Sequence, residues 1–204
     1  MNYVVDSYEN YKEENRLTTN NARRIEFVTT TRVLDEIIHD KSKILDCAAG
    51  TGIYSFWLAD KGHEVTATDI TPRHIEIMNQ TLANKNYNMD TAVLDATDMS
   101  CFADNSFDIV LNMGPYYHLI TEAQREKCMK ECIRVLKKGG LLVTAYIPRY
   151  YVFQYIATNN ENYLDERLAV YTDQIEHTAR RYSAWLPPIQ CTLSGHQCMM
   201  LIQV

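Results

Sequence analysis

The sequence predicts an α/β fold, a doubly wound and mainly parallel sheet. Three observations predict it. From Lys43 onward short apolar strands alternate with helical segments. Each strand is apolar along most of its length, as parallel strands covered on both faces should be. The first strand, "KILDC", runs directly into a glycine turn, "AAGTG", and then into a second apolar run, the order of a βαβ unit.

The elements follow in order. Between residues 20 and 40, Ile25, Val28, Leu34, Ile37 and Ile38 recur near helical spacing and predict an amphipathic helix. The strands are "KILDC", "EVTAT", "TAVLD", "DIVLN" and "LLVTAYI". Between them, Ile53 to Lys61 carries Phe56, Trp57 and Leu58 and predicts a helix. Pro72 to Asn86 predicts another, with Thr71 as cap, Pro72 in the first turn and Ile75, Met78 and Leu82 repeating. Thr121-Glu-Ala-Gln124 has the form of a capping box for a helix running to Leu136, with Gly139-Gly140 as its stop. The first 20 residues place Tyr3, Tyr8 and Tyr11 in an acidic context, an arm or a lid. Residues 150 to 182 look helical, and "IQCTLSGHQCMMLIQV" reads as two strands around Ser194-Gly195, a terminal antiparallel hairpin.

Composition narrows the partners. The 204-residue chain suits one domain, or a domain with an appendage, able to bury a core without disulfides or metal. A net charge of −6 argues against a broad footprint for nucleic acid or anionic membrane and favours a small-molecule partner. The six cysteines form no C-x-x-C pair, no signal peptide precedes "MNYVVDSYEN", and a reduced cytoplasmic setting is expected. Cys128 and Cys132, four apart on a helix, would be half of a metal site, but no second pair completes it, so core packing is expected. No membrane span is expected either: the charge-free run from Ser183 to Val204 is broken by two prolines, Gly195 and three glutamines.

The glycine turn carries the first functional signal. Such a turn lets backbone approach a ligand and points helix N–H groups at it. In dinucleotide-binding proteins the third position of G-x-G-x-x-G is Gly or Ala and the pyrophosphate rests on the helix N-terminus. Here Gly50 and Gly52 are followed by Ser55, and Asp46 stands four residues before Gly50, where a carboxylate would repel a pyrophosphate. A ligand bearing a cation would be attracted instead. At the end of the second strand, Asp69 stands where an acid can take the two hydroxyls of a ribose, or cap the helix at "DITP". After the third strand, "LDATDMS" places Asp95 where it can accept from an adenine amino group, with the Ala96 N–H beside it for a ring nitrogen.

These residues resemble the class I S-adenosylmethionine-dependent methyltransferases over roughly residues 40 to 147. "ILDCAAGTG" is similar to that family's first motif, "VTATDIT" to the second, "LDATDMSCFADNSFDIVLN" to the third and fourth, and "RVLKKGGLLVTAY" to the helix and strand that follow. The usual L-D-x-G-x-G-x-G becomes "LDCAAGTG", with Ala48 in place of the first glycine. "RLTTNNARRIEFVTTTRVL" and "NMGPYYHL" further resemble a bacterial small-molecule subgroup. The resemblance implies a Rossmann-like methyltransferase fold, S-adenosylmethionine as cofactor and S-adenosylhomocysteine as product. It implies cofactor contacts at Asp46, Ala48, Gly50, Thr51, Gly52, Asp69, Ile70, Asp95, Ala96 and Asn112. It divides the chain into residues 1–40, an arm and helix over the cofactor, and 41–204, the methyltransferase domain. Two further strands are then required, and only the segment 183–204 can supply them; without them the fold is incomplete.

Methyl transfer is an in-line displacement at a sulfonium, so alignment and water exclusion are the main tasks, with a general base where the acceptor holds a proton. The loop "NMGPYYHL" emerges from the fourth strand, at the point where strand order reverses. It offers His118 and Tyr116 as catalytic candidates, with Tyr117 beside them. His118 suits proton removal near neutral pH; as a loop-holding or capping residue it would serve equally well. Tyr146, Arg149 and Tyr150 follow the fifth strand and are candidates for the acceptor pocket. Asn112-Met-Gly-Pro departs from the N/D-P-P-Y that some relatives use on nucleic acid amines, which favours a small acceptor of O, N or C type. Two other classes remain: a nicotinamide-dependent oxidoreductase, opposed by Asp46 and Ser55, and a non-catalytic nucleotide-binding protein. Acceptor and oligomeric state are not encoded legibly.

Overall fold

The computed structural model describes residues 21–146, 190–194 and 197–203, together with the single positions 5 and 13. In chain order the elements are α1 (Asn21–Ile37), β1 (Lys43–Cys47), α2 (Ile53–Asp60), β2 (Glu64–Asp69), α3 (Pro72–Leu82), β3 (Met89–Val93), β4 (Phe107–Asn112), α4 (Pro115–His118), α5 (Glu122–Val135), β5 (Leu136–Tyr146), β6 (Gln190–Ser194) and β7 (Gln197–Gln203). The predicted Tyr3, Tyr8, Tyr11, Arg149 and Tyr150 and the helical segment 150–182 lie outside the described residues.

The seven strands form one sheet in the order β3-β2-β1-β4-β5-β7-β6. β1 to β5 run parallel, and β7 pairs antiparallel with both β5 and β6. Alternate strand residues face opposite layers, which gives two cores. Ile44, Ile109, Leu111, Val143 and Ala145 pack with Leu34 of α1 and Leu58 of α2. Leu45, Cys47, Val110 and Leu142 pack with Cys128, Cys132 and Val135 of α5 on the other face. Covering both faces of β1 and β4 is why these strands read as mostly apolar runs. Cys47, Cys128 and Cys132 are therefore core residues, each fully buried.

Three local expectations shift. The third strand ends at Val93, because Asp69↔Val93 is the last pair of the β2–β3 ladder, and so Asp95 falls in the loop beyond it. The helix before β5 ends at Val135 rather than at the glycines, and the chain enters β5 at Leu136. Gly139 and Gly140 instead lie inside β5, at an irregularity that carries the register from Phe107↔Leu136 to Ile109↔Leu141. Gly139 has a φ of +78°, which favours glycine, and a Cβ on Gly140 would come within 2.8 Å of the Asp108 and Lys137 carbonyl oxygens, so that position has no room for a side chain. The box at Thr121 forms as expected, with the Gln124 N–H donating to Thr121 Oγ1 and the Thr121 N–H to Gln124 Oε1. Thr71 is the N-cap of α3, but its side chain makes no capping bond.

Candidate active site

Strand order reverses between β1 and β4, the place where open α/β sheets bind ligands, and loops leave the carboxyl ends of both strands there. The two loops touch: a Cβ on Gly114 would lie 3.8 Å from Ala48 Cβ. This contact brings the glycine turn to the loop that carries Tyr116 and His118.

The turn is unusually self-contained. The Ala49 N–H donates to the Thr68 carbonyl at 2.8 Å, the Gly52 N–H to the Ala49 carbonyl at 3.0 Å, and the Gly50 N–H to Asp69 Oδ2 at 2.9 Å. These contacts tie the turn to β2 and engage the Ala49, Gly50 and Gly52 N–H groups within the protein. Gly50 and Gly52 have φ of +60° and +85°, and Ala48 adopts +61°, a left-handed conformation that costs an L side chain about 1–2 kcal/mol. Ala48 thus takes the backbone shape of the glycine it replaces. Thr51 completes the turn, half-buried.

Acids surround this turn. Asp46 is 1% exposed and accepts a 2.5 Å hydrogen bond from Ser55 Oγ, which explains the serine at a position where dinucleotide-binding proteins favour Gly or Ala. Burial pushes the Asp46 carboxyl up to about 6; the Ser55 bond opposes this and repulsion from Asp69 adds to it. Glu13, from the N-terminal segment, lies over the turn, its Cγ 3.4 Å from the position of a Cβ on Gly50. Sequence reasoning missed Glu13, since nothing in an acidic arm marks one carboxylate as the one that folds back.

Asp69 is buried and holds three protein donors: the Gly50 N–H on Oδ2, and on Oδ1 the Thr71 N–H at 2.8 Å and His74 Nδ1 at 3.1 Å. The ribose and cap readings of Asp69 are therefore not exclusive, because one carboxylate ties the start of α3 to the glycine turn. Sequence reasoning missed His74 too; the structure buries it against Asp69. Ile70 follows in the bend before α3, half-buried.

Asp95 is exposed and forms an Asx turn, its Oδ1 accepting from the Thr97 N–H at 2.8 Å and from Thr97 Oγ1 at 2.9 Å. Ala96 packs at the edge of the α5-side core. Asn112 is fully buried with its Nδ2 directed at Cys128 Sγ (3.6 Å) and Met129 Sδ (3.8 Å) of α5. Its Oδ1, and Oγ1 of its β5 neighbour Thr144, are buried with no hydrogen-bond partner among the described residues. Tyr116 and His118 lie half-buried in α4, where the His118 ring packs on Tyr117 at 4.7 Å between centroids and the Tyr117 hydroxyl donates to the Met113 carbonyl.

Residues 44–140 match the methyltransferase domain family. Over that span, just under half of the chain, the sequence resembles a methyltransferase domain. The chain is similar in sequence to a demethylmenaquinone methyltransferase of Clavibacter sepedonicus (37% identity, 57% of this chain and 44% of that one). It is similar also to a glycine/sarcosine N-methyltransferase of Parasynechococcus marenigrum (30% identity, 55% and 39%). The chain thus spans about two fifths of the length of these curated relatives. In fold it resembles the PH0226 protein of Pyrococcus horikoshii (TM-score 0.68, 18% identity, 97% of this chain and 98% of that one). It also resembles the N-methyltransferase NodS of Bradyrhizobium japonicum, solved with S-adenosylhomocysteine (TM-score 0.66, 15% identity, 98% and 97%). Among the described residues, no helix is long and apolar enough to cross a membrane.

Proposed function

We propose that the protein transfers a methyl group from S-adenosylmethionine to a small-molecule acceptor. The observation that carries this reading is the buried Asp46 beside a glycine turn whose N–H groups are engaged within the protein. Such a turn repels a pyrophosphate and attracts a cation, and Glu13 and Asp69 add to that field. The residues fit the cofactor on this ground. Asp46 with Ala48, Gly50, Thr51 and Gly52 would hold its amino acid end, Asp69 and Ile70 its ribose, Asp95 and Ala96 its adenine. Asn112 Oδ1, buried without a partner among the described residues, adds an acceptor at the carboxyl end of β4.

When bound, the cofactor supplies a methyl group activated by a sulfonium. The chain's own task is to align the acceptor and exclude water. The loop after β4 is suited to it, being fixed by Gly114-Pro115 and in contact with Ala48 of the turn. Tyr116 and His118 are the groups we assign to the acceptor, His118 taking a proton where the acceptor bears one. The arm of residues 1–40 would close over the cofactor, a role supported by Glu13 against Gly50. Net charge and the small-molecule names of the relatives favour a small acceptor over nucleic acid, in the cytoplasm.

Calorimetric titration of the chain with S-adenosylmethionine, S-adenosylhomocysteine and NAD tests the assignment. S-adenosylhomocysteine should bind with Kd on the order of micromolar, about 8 kcal/mol, and NAD should not bind. His118→Asn should bind S-adenosylhomocysteine as the wild type does, since His118 is assigned to the acceptor. Comparable binding of NAD would overturn the reading in favour of an oxidoreductase.

A further inference from the structure

The face that α3 turns to the glycine turn carries two buried side chains one helical turn apart, His74 and Met78. Met78 lies beneath the turn itself, for a Cβ on Gly52 would meet its Sδ at 2.7 Å. His74 stands one turn closer to the helix start and reaches the turn through Asp69. A carboxylate oxygen accepts, so we assign the hydrogen in the 3.1 Å contact with Asp69 Oδ1 to imidazole Nδ1.

Each carboxylate oxygen offers about two acceptor positions. Oδ1 has both filled, by the Thr71 N–H and by His74. Oδ2 has one filled, by the Gly50 N–H, and keeps one. The Thr71 bond is local, spanning two residues, and by itself leaves the carboxylate free to swing about Oδ1. A second donor on that oxygen, anchored in the buried face of α3, stops the swing.

We propose that His74 is a positioning residue for the cofactor: by holding Asp69 Oδ1 it fixes the carboxylate so that the remaining acceptor position, on Oδ2, is presented at the glycine turn to a ribose hydroxyl. The proposal rests on the ribose reading of Asp69. It makes His74 part of the cofactor site although it touches Asp69 rather than the ligand, and it commits Oδ1 to the protein.

The test is a titration with S-adenosylhomocysteine of His74→Phe, which keeps a ring and removes the donor, and of His74→Asn, whose amide nitrogen stands near the place of Nδ1. Both are also made in an Asp69→Asn background. His74→Phe should weaken binding about tenfold, the effect of one charge-assisted bond; His74→Asn should stay within about threefold of wild type. In the Asp69→Asn background His74→Phe should cost nothing further. Equal losses in both backgrounds would show that His74 acts by packing alone, and an unweakened Phe variant would overturn the proposal outright. If Asp69→Asn itself binds normally, the ribose reading falls and this proposal with it, whereas a weakened Asp69→Asn with an unaffected His74→Phe sinks only the role of His74. Should the Phe variant fail to melt cooperatively, His74→Ala takes its place in the same cycle.

Discussion

At the scale of single residues, the proposed cofactor role of Asp46 would set folding and binding against each other. Its carboxyl is raised to about 6 in the folded chain from an ordinary 3.8, so the folded state prefers it protonated. The stability this confers is fully present below about pH 4 and is lost as pH rises through 6; the whole difference is on the order of 3 kcal/mol. Asp46→Asn removes the charge and keeps an oxygen for Ser55. The free variant should therefore melt several degrees above wild type at pH 7.5 and no higher at pH 4. Its affinity for S-adenosylhomocysteine should fall and no longer depend on pH, while the wild type should lose up to about tenfold per unit below pH 6 as the partner of the ligand's ammonium is neutralised. Scanning melts at the two pH values, with titrations at pH 5, 6 and 7.5, check both arms, and a free variant less stable than wild type at pH 7.5 would contradict the account. Asp46, the glycines and Asp69 were legible because strand, acid and turn are contiguous in sequence. His74 and Glu13 were not: one meets its partner only after the chain turns into α3, the other only after an arm folds back.

At the scale of elements, the loop between β3 and β4 is held by α5. Arg134 donates to both oxygens of Glu131 (2.9 and 2.8 Å), to Asp104 Oδ1 (2.8 Å) and to the carbonyls of Phe102 and Met99 (2.8 Å each). Glu131 Oε2 in turn accepts the Met99 N–H at 2.7 Å. Two side chains on one helix thus fasten the loop that begins with Asp95 and Ala96. Arg134→Ala should destabilise the chain by about 2–3 kcal/mol and weaken S-adenosylhomocysteine several-fold, and Arg134→Lys should restore little, since lysine cannot reproduce the fork. Chemical denaturation and calorimetry would show it; unchanged affinity in a folded Arg134→Ala would separate this loop from the site. The elements themselves were largely readable. "KILDC" and "DIVLN" are covered on both faces and so mostly apolar, and Thr121 to Gln124 is a complete local cap. What misled was Gly139-Gly140, which has the composition of a helix stop but serves a close strand approach that only tertiary pairing reveals.

At the scale of the whole molecule, the proposed cofactor site and the antiparallel end of the sheet are separate tasks joined through β5. β1 to β4 and their loops supply the residues proposed to touch the cofactor, while β5 carries Thr144 beside Asn112 on one edge and β7 on the other. The pairing order has a consequence in time. β7 follows β6 in the chain, yet it lies between β5 and β6, and among the described strands β6 pairs with β7 alone. A ribosome makes β6 first, so during synthesis that strand is out with nothing to pair with, and the β5 edge stays open until β7 arrives. Nascent chains arrested with β6 emerged but β7 still enclosed should be cut by protease within residues 190–194, and those released past β7 should resist. Protection of β6 before β7 emerges would mean that the sheet passes through a different pairing on its way to this one.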